Sequence, residues 1–171
     1  MMSNVKHKYR SFKNINLLDL KRLAEIAKRD RYDFFNKYPQ WKKAFQNRVV
    51  CIVLCQGAAQ HYTDNKNGIN DFDVYTFYKK NPNKKWYAKR IKSYDFSDPK
   101  FGQSVDKPNF IGRRVDCLSR EIEIIRNENL VIALRRYLKN SNTKTAICLS
   151  KKSVVLLEPK CGYIVWKKEI I

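Results

Sequence analysis

No apolar run in the 171-residue chain exceeds the seven residues of Val49–Cys55. A helix that crosses a bilayer needs about 20, so no span of that kind is expected. The first eight residues lack the apolar core of a secretory leader, and no such signal is expected. Carboxylates are scarce: 16 Asp plus Glu face 36 Lys plus Arg, a net charge of +20. Such a balance disfavours cationic partners and favours polyanions, nucleic acid first and a nucleoside triphosphate next. A lysine-rich solvated surface accounts for part of the same excess. The five cysteines are odd in number and form no C-x-x-C. That argues against a disulfide framework and for a reduced, cytoplasmic setting. Cys51, Cys55 and His61 match no common zinc spacing and lack a fourth ligand, so the cysteines read as buried strand residues. Internal repeats and low-complexity segments are absent.

What is present is a chain with 43% hydrophobic residues, long enough for one ordinary domain with a real core. Leu17, Leu18, Leu20, Leu23, Ile26 and Ala27 recur at helical spacing after Asn16, a capping residue, and predict a helix to about Asn36, interrupted at Pro39. Residues 48–56 read as a buried strand, 57–64 as a short helix and 65–70 as a loop. Residues 71–78, 86–94 and 113–119 read as further strands, and 95–112 as a long loop. Helices follow at about 127–139 and 143–150, then a hairpin from residues 154–157 and 163–166. The expected fold class is α+β (mixed α/β): a mixed sheet flanked by helices, with a C-terminal helix and β-hairpin. Residues 1–171 form one domain in this reading: an N-terminal helical segment (1–47), a catalytic-type core (48–120) and a C-terminal part (121–171).

The chemistry concentrates between Gly57 and Asp73. A glycine after a buried strand lets backbone approach a phosphate. Asp71 and Asp73, one residue apart on a strand, point to one face. Asp116, in Arg113-Arg114-Val115-Asp116-Cys117-Leu118, is a charge between apolar neighbours. If its strand neighbours that of Asp73, three carboxylates converge, the kind of oxygen donor set that holds two divalent ions for phosphoryl chemistry. A solvated strand face, with Asp116 paired to Arg114, explains the same residues structurally. Period two puts Arg114, rather than Arg113, on the side of Asp116. His61, about one helical turn after Gly57, is a candidate phosphate or acceptor contact or a packing histidine. Lys100 in the long loop is a candidate triphosphate clamp or a solvated lysine.

This order (apolar strand, Gly57 and a small residue, Asp71-apolar-Asp73-apolar, then apolar-Asp116-apolar) resembles the nucleotidyltransferase superfamily, with its DNA polymerase beta-like fold. More particularly, it resembles small bacterial nucleotidyltransferase-like domain proteins without an assigned substrate. The resemblance covers about residues 49–119. Twelve residues separate Ala58 from Asp71, within the family's range. It implies that Asp71, Asp73 and Asp116 are catalytic and bind two Mg²⁺ (or Mn²⁺). It further implies that Gly57, Ala58, His61, Lys100 and Arg114 bind nucleotide, and that the reaction moves a nucleoside monophosphate from an NTP to a hydroxyl of RNA, protein or a small molecule. Ala58 departs from the pattern, which often carries Gly or Ser there, and puts side-chain contact to the triphosphate in doubt. An RNA or DNA acceptor suits the charge, and a homodimer or antitoxin-like partner protein would complete so small a site.

Two other functions compete. A nuclease with an acidic residue followed by Glu-x-Lys is disfavoured, because Val74-Tyr75 follow Asp73. A catalytically degenerate, basic nucleic-acid-binding or partner-binding protein on the same fold would use Lys84-Lys85-Trp86-Tyr87-Ala88-Lys89-Arg90 for base stacking and phosphate contacts; half-buried strand aromatics explain the same pattern.

Overall fold

The computed structural model describes residues 10–86, 91–103 and 108–168. Helix α1 (Leu17–Lys37) starts where the sequence places it. The Asn16 side chain accepts from the Asp19 N–H at 2.9 Å, and the Asp19 carboxylate accepts from the Asn16 N–H at 2.8 Å. This reciprocal cap satisfies two donors that a helix start leaves orphaned. Leu20, Leu23, Ala24 and Ala27 form its buried stripe. Pro39 is more than an interruption: it opens a second helix, α2 (Pro39–Phe45), at a position where its missing N–H is not needed.

Six strands follow: β1 (Val49–Cys55), β2 (Phe72–Lys79), β3 (Lys92–Asp95), β4 (Arg114–Ile122), β5 (Val154–Glu158) and β6 (Ile164–Trp166). They form one sheet in the order β3-β4-β2-β1-β5-β6. Strands β2 and β4 are parallel, and the other neighbouring pairs are antiparallel. Helix α3 (Gln56–Asp64) leaves β1 directly, while α4 (Leu130–Asn140) and α5 (Lys144–Leu149) precede the β5–β6 hairpin. The fold is thus mixed α+β, a six-stranded mixed sheet with five helices around it among the described residues.

Alternation along the strands sorts two cores onto the two faces. Ile52, Leu54, Phe72, Val74, Val115, Val155 and Leu157 face α1 and α3. Cys51, Val53, Cys55, Tyr75, Phe77, Leu118 and Leu156 face α4 and α5. The thiols of Cys51 and Cys55 are buried in that second core, and desolvation pushes Cys51 up to about 12 and Cys55 well above its ordinary value. Both are packing residues, far from thiolate chemistry at neutral pH.

Two differences from expectation concern the segment around Trp86. The strand expected over 86–94 is described only at Lys92–Asp95, and residues 87–90 lie outside the described residues. Trp86 itself is buried, stacked on Tyr78 with ring centroids 4.3 Å apart and against Phe45 at 5.0 Å. Its ring belongs to a third cluster, with Phe34, Phe35 and Phe45, that ties α1 and α2 to the end of β2. The indole is therefore no platform for a base; Tyr87, Lys89 and Arg90 of that proposed patch lie outside the described residues. No described helix is long and apolar enough to cross a membrane.

Candidate active site at the sheet rim

One rim of the sheet collects the end of β1 and the starts of β2, β4 and β5. Cys55 pairs with Asp73, and Leu54 with Val155. Asp73 pairs in turn with Asp116 across the parallel β2–β4 ladder. This register is the condition under which the three aspartates share a face. Asp71 falls one residue before β2 rather than within it, and it joins the group through Arg114.

Arg114 is the hub. Its Nη2 donates to Oδ2 of Asp71 at 2.8 Å, and its Nε lies 3.2 Å from Oδ1 of Asp116. Arg114 and Asp116 alternate onto one side of β4, as period two requires. Arg113 goes the other way and is buried, donating from Nε to the Phe101 carbonyl at 2.8 Å. Asp116 also accepts from the Ser93 hydroxyl at 2.6 Å, across the β3–β4 pair. Among the described residues the Asp73 side chain takes part in no hydrogen bond. Burial pushes its carboxyl up, to about 7, with Asp71 and Asp116 adding to the rise and Arg114 and Lys152 opposing it. The rim is therefore a place of undercompensated negative charge in a chain of +20.

The turn from β1 into α3 lies beside it. Cys55 is extended, and Gln56 takes a left-handed conformation with φ 61°. A non-glycine residue there costs on the order of 1 kcal/mol or more and persists only when its surroundings hold it. The Gln56 amide is held by donating to Sγ of Cys148 at 3.0 Å. Gly57 follows, next to open space: a Cβ on it would meet only the Lys152 Nζ, at 4.0 Å. Lys152 makes no ion pair among the described residues, and its charge reaches Asp73. The Ala58 side chain, by contrast, points into the core beneath α3 and can offer the rim only backbone.

The structure does not bring His61 or Lys100 to the carboxylates. His61 is fully buried; its Nδ1 accepts from the Gly68 N–H at 3.2 Å. Its Nε2 must then carry the proton and donate to the Lys13 carbonyl, 2.9 Å away. Both ring nitrogens are occupied in fastening the 65–70 loop and the N-terminal segment to α3. His61→Ala is accordingly expected to cost about 1–3 kcal/mol, read as a lowered Tm, with no change in ligand affinity per folded molecule. A ligand-contact histidine would give the reverse pattern. Lys100 pairs with the buried Asp19 at 2.5 Å and lies over the Phe101 ring, so it anchors the Pro99–Phe101 turn to the start of α1.

Lys152 and Ser93 are the rim residues that sequence reasoning missed. Lys152 carries no motif, and its only signal is that it precedes the last buried strand. Ser93 is marked solely by its pairing with Asp116, which no local pattern reveals. Among the described residues no group of three or more His, Cys, Asp or Glu side chains stands ready as a metal site. The donor chemistry nonetheless fits a hard divalent ion, with carboxylate oxygens only and an aspartate whose carboxyl is raised chiefly by burial, Asp71 and Asp116. No family model, curated protein or solved structure matches this chain.

Proposed function

We propose that the chain is a metal-dependent nucleotidyltransferase, moving a nucleoside monophosphate from an NTP to an acceptor hydroxyl. The observation that carries this reading is the parallel β2–β4 register, which sets Asp73 beside Asp116 at the rim where Gly57 lies in the first turn of α3. A strand face serving only as solvated surface has no need of a half-buried carboxylate between two others.

Asp71, Asp73 and Asp116 would hold magnesium or manganese. Such ions, when bound, neutralise phosphate charge and polarise the phosphoryl oxygens. The residues of the chain account for the rest. Gly57 leaves room for a phosphate against the first N–H groups of α3, where the helix dipole favours an anion. Lys152 adds a cation from the start of β5. Asp116, fixed by Ser93, accepts the proton of the acceptor hydroxyl as its oxygen bonds to the α-phosphorus. The bond from that phosphorus to the bridging oxygen breaks, and pyrophosphate leaves with the electron pair. The charge of +20 raises the local concentration of a triphosphate and of a nucleic-acid acceptor.

The test is transfer of label from α-³²P NTPs, each base in turn, in Mg²⁺ or Mn²⁺, to RNA, protein and small-molecule acceptors. Wild type is expected to label one acceptor class, and an Asp71→Asn, Asp73→Asn double variant none. Wild type that neither transfers label nor binds metal better than the double variant overturns the proposal.

A further inference from the structure

We propose that Arg114 is a built-in counter-ion of the carboxylate site, occupying the place of a metal ion and having to leave when one binds. The inference rests on the metal-site reading above and goes beyond it. A guanidinium contacting Asp71 at 2.8 Å and Asp116 at 3.2 Å joins two of the three aspartates. Those same oxygens would have to turn to an ion. A planar fork suits the task, because it reaches two carboxylates from one side chain. Each partner comes from a different place: Asp71 precedes β2, and Asp116 lies in β4. The bridge therefore holds the two strand starts at their working spacing while no ion is present. The Arg114 side chain is about a quarter exposed.

Where it goes follows from charge. Once released, Arg114 lies on the rim beside Gly57 and Lys152, where the triphosphate of the proposed substrate would sit. The guanidinium then exchanges two carboxylates for phosphate oxygens, a bidentate partner of the same geometry. Metal entry without nucleotide strands the cation; with nucleotide it does not. Arg114 is thus a positioning residue in the empty site and a phosphate ligand in the filled one. The bare ion is disfavoured relative to the ion with its triphosphate.

The experiment is Mn²⁺ binding to the full chain, followed by electron paramagnetic resonance of free Mn²⁺, without nucleotide. Wild type is compared with Arg114→Met and Lys152→Met. Both variants remove one positive charge near Asp73, but only Arg114 touches the carboxylates. Direct competition predicts Mn²⁺ bound at least about tenfold more tightly by Arg114→Met, and no more than about threefold by Lys152→Met. Equal tightening in the two variants would reduce Arg114 to background charge and overturn the inference, leaving the metal site intact. Unchanged or weaker binding in Arg114→Met would overturn it as well. Loss of Mn²⁺ binding by all three proteins would overturn the nucleotidyltransferase reading and this inference together. Should Arg114→Met fail to fold, Arg114→Lys keeps the charge but cannot span both carboxylates, and intermediate tightening is expected; none would count against the bridge.

Discussion

Asp73→Asn is expected to abolish transfer nearly completely, with kcat lowered on the order of 10²–10³-fold, the loss typical of removing one preorganised charge-stabilising group. Asp73 is the central member of the three, pairing with Cys55 on one side and Asp116 on the other. Asparagine keeps the shape and one oxygen but loses the charge that would bind a cation. Single-turnover transfer rates at saturating NTP and metal measure it. A variant retaining more than about a tenth of wild-type rate would remove Asp73 from the chemistry.

The same substitution has a signature in stability. The Asp73 carboxyl is raised from 3.8 to about 7 in the folded chain. Between those values the native state keeps a proton that the unfolded chain releases, so stability falls as pH rises through the window and levels off above it. At about 1.4 kcal/mol per pH unit the loss is at most about 4 kcal/mol. In a chelator, to keep the site free of metal, urea midpoints of wild type should therefore decline from pH 4 to pH 7. Asp73→Asn should flatten that decline and gain stability at pH 8. A more stable but inactive variant is the expected mark of a residue kept for function at the expense of the fold.

Phe45→Ala is expected to be the most damaging change away from the rim, costing about 3–5 kcal/mol. Phe45 is fully buried, stacked on Trp41 at 5.8 Å and edge-on to Tyr78 and Trp86 at 5.8 and 5.0 Å. Its ring neighbours are large aromatics. Against a total stability of about 5–15 kcal/mol, the loss would show as a large fall in the urea midpoint. A cost under about 1 kcal/mol would mean that α2 is not held by this cluster.

These two residues also illustrate what a sequence makes legible. Strands β1, β2 and β4 announce themselves because each is a run of apolar or alternating residues, and burial on one or both faces leaves that trace. The cap of α1 is equally local, and Asn16 and Asp19 state it. The proximity of Asp73 and Asp116 could be conjectured from a charge in an apolar strand, but the pairing that produces it is long-range. Arg114 facing Asp116 followed from period two; its second contact, to Asp71, did not. Lys100 and His61 show the limit. Their partners, Asp19 and Lys13, lie 81 and 48 residues away, and nothing in the neighbourhood of either hints at them. Trp86 is ambiguous for a related reason. An aromatic among lysines looks like an exposed platform until helices from the start of the chain fold over it. Pro39 interrupts the first helix, and its missing N–H also makes it a good first residue for the second.

The β2–β4 pair is the one parallel ladder among the described strands, and residues 80–113 intervene between its members, β3 included. An antiparallel neighbour can be laid down by a short return of the chain; a parallel one waits for a long segment to travel out and back. Non-local closure of this kind is slow. Strands β1 and β2 are thus expected to pair first, setting Asp73 in place beside Cys55, with Asp116 arriving only when the edge of the sheet closes. A nascent or partly opened chain would carry two aspartates and no third. On the proposed nucleotidyltransferase reading, transfer activity would then be among the last properties the folding chain acquires, arriving with its slowest ladder.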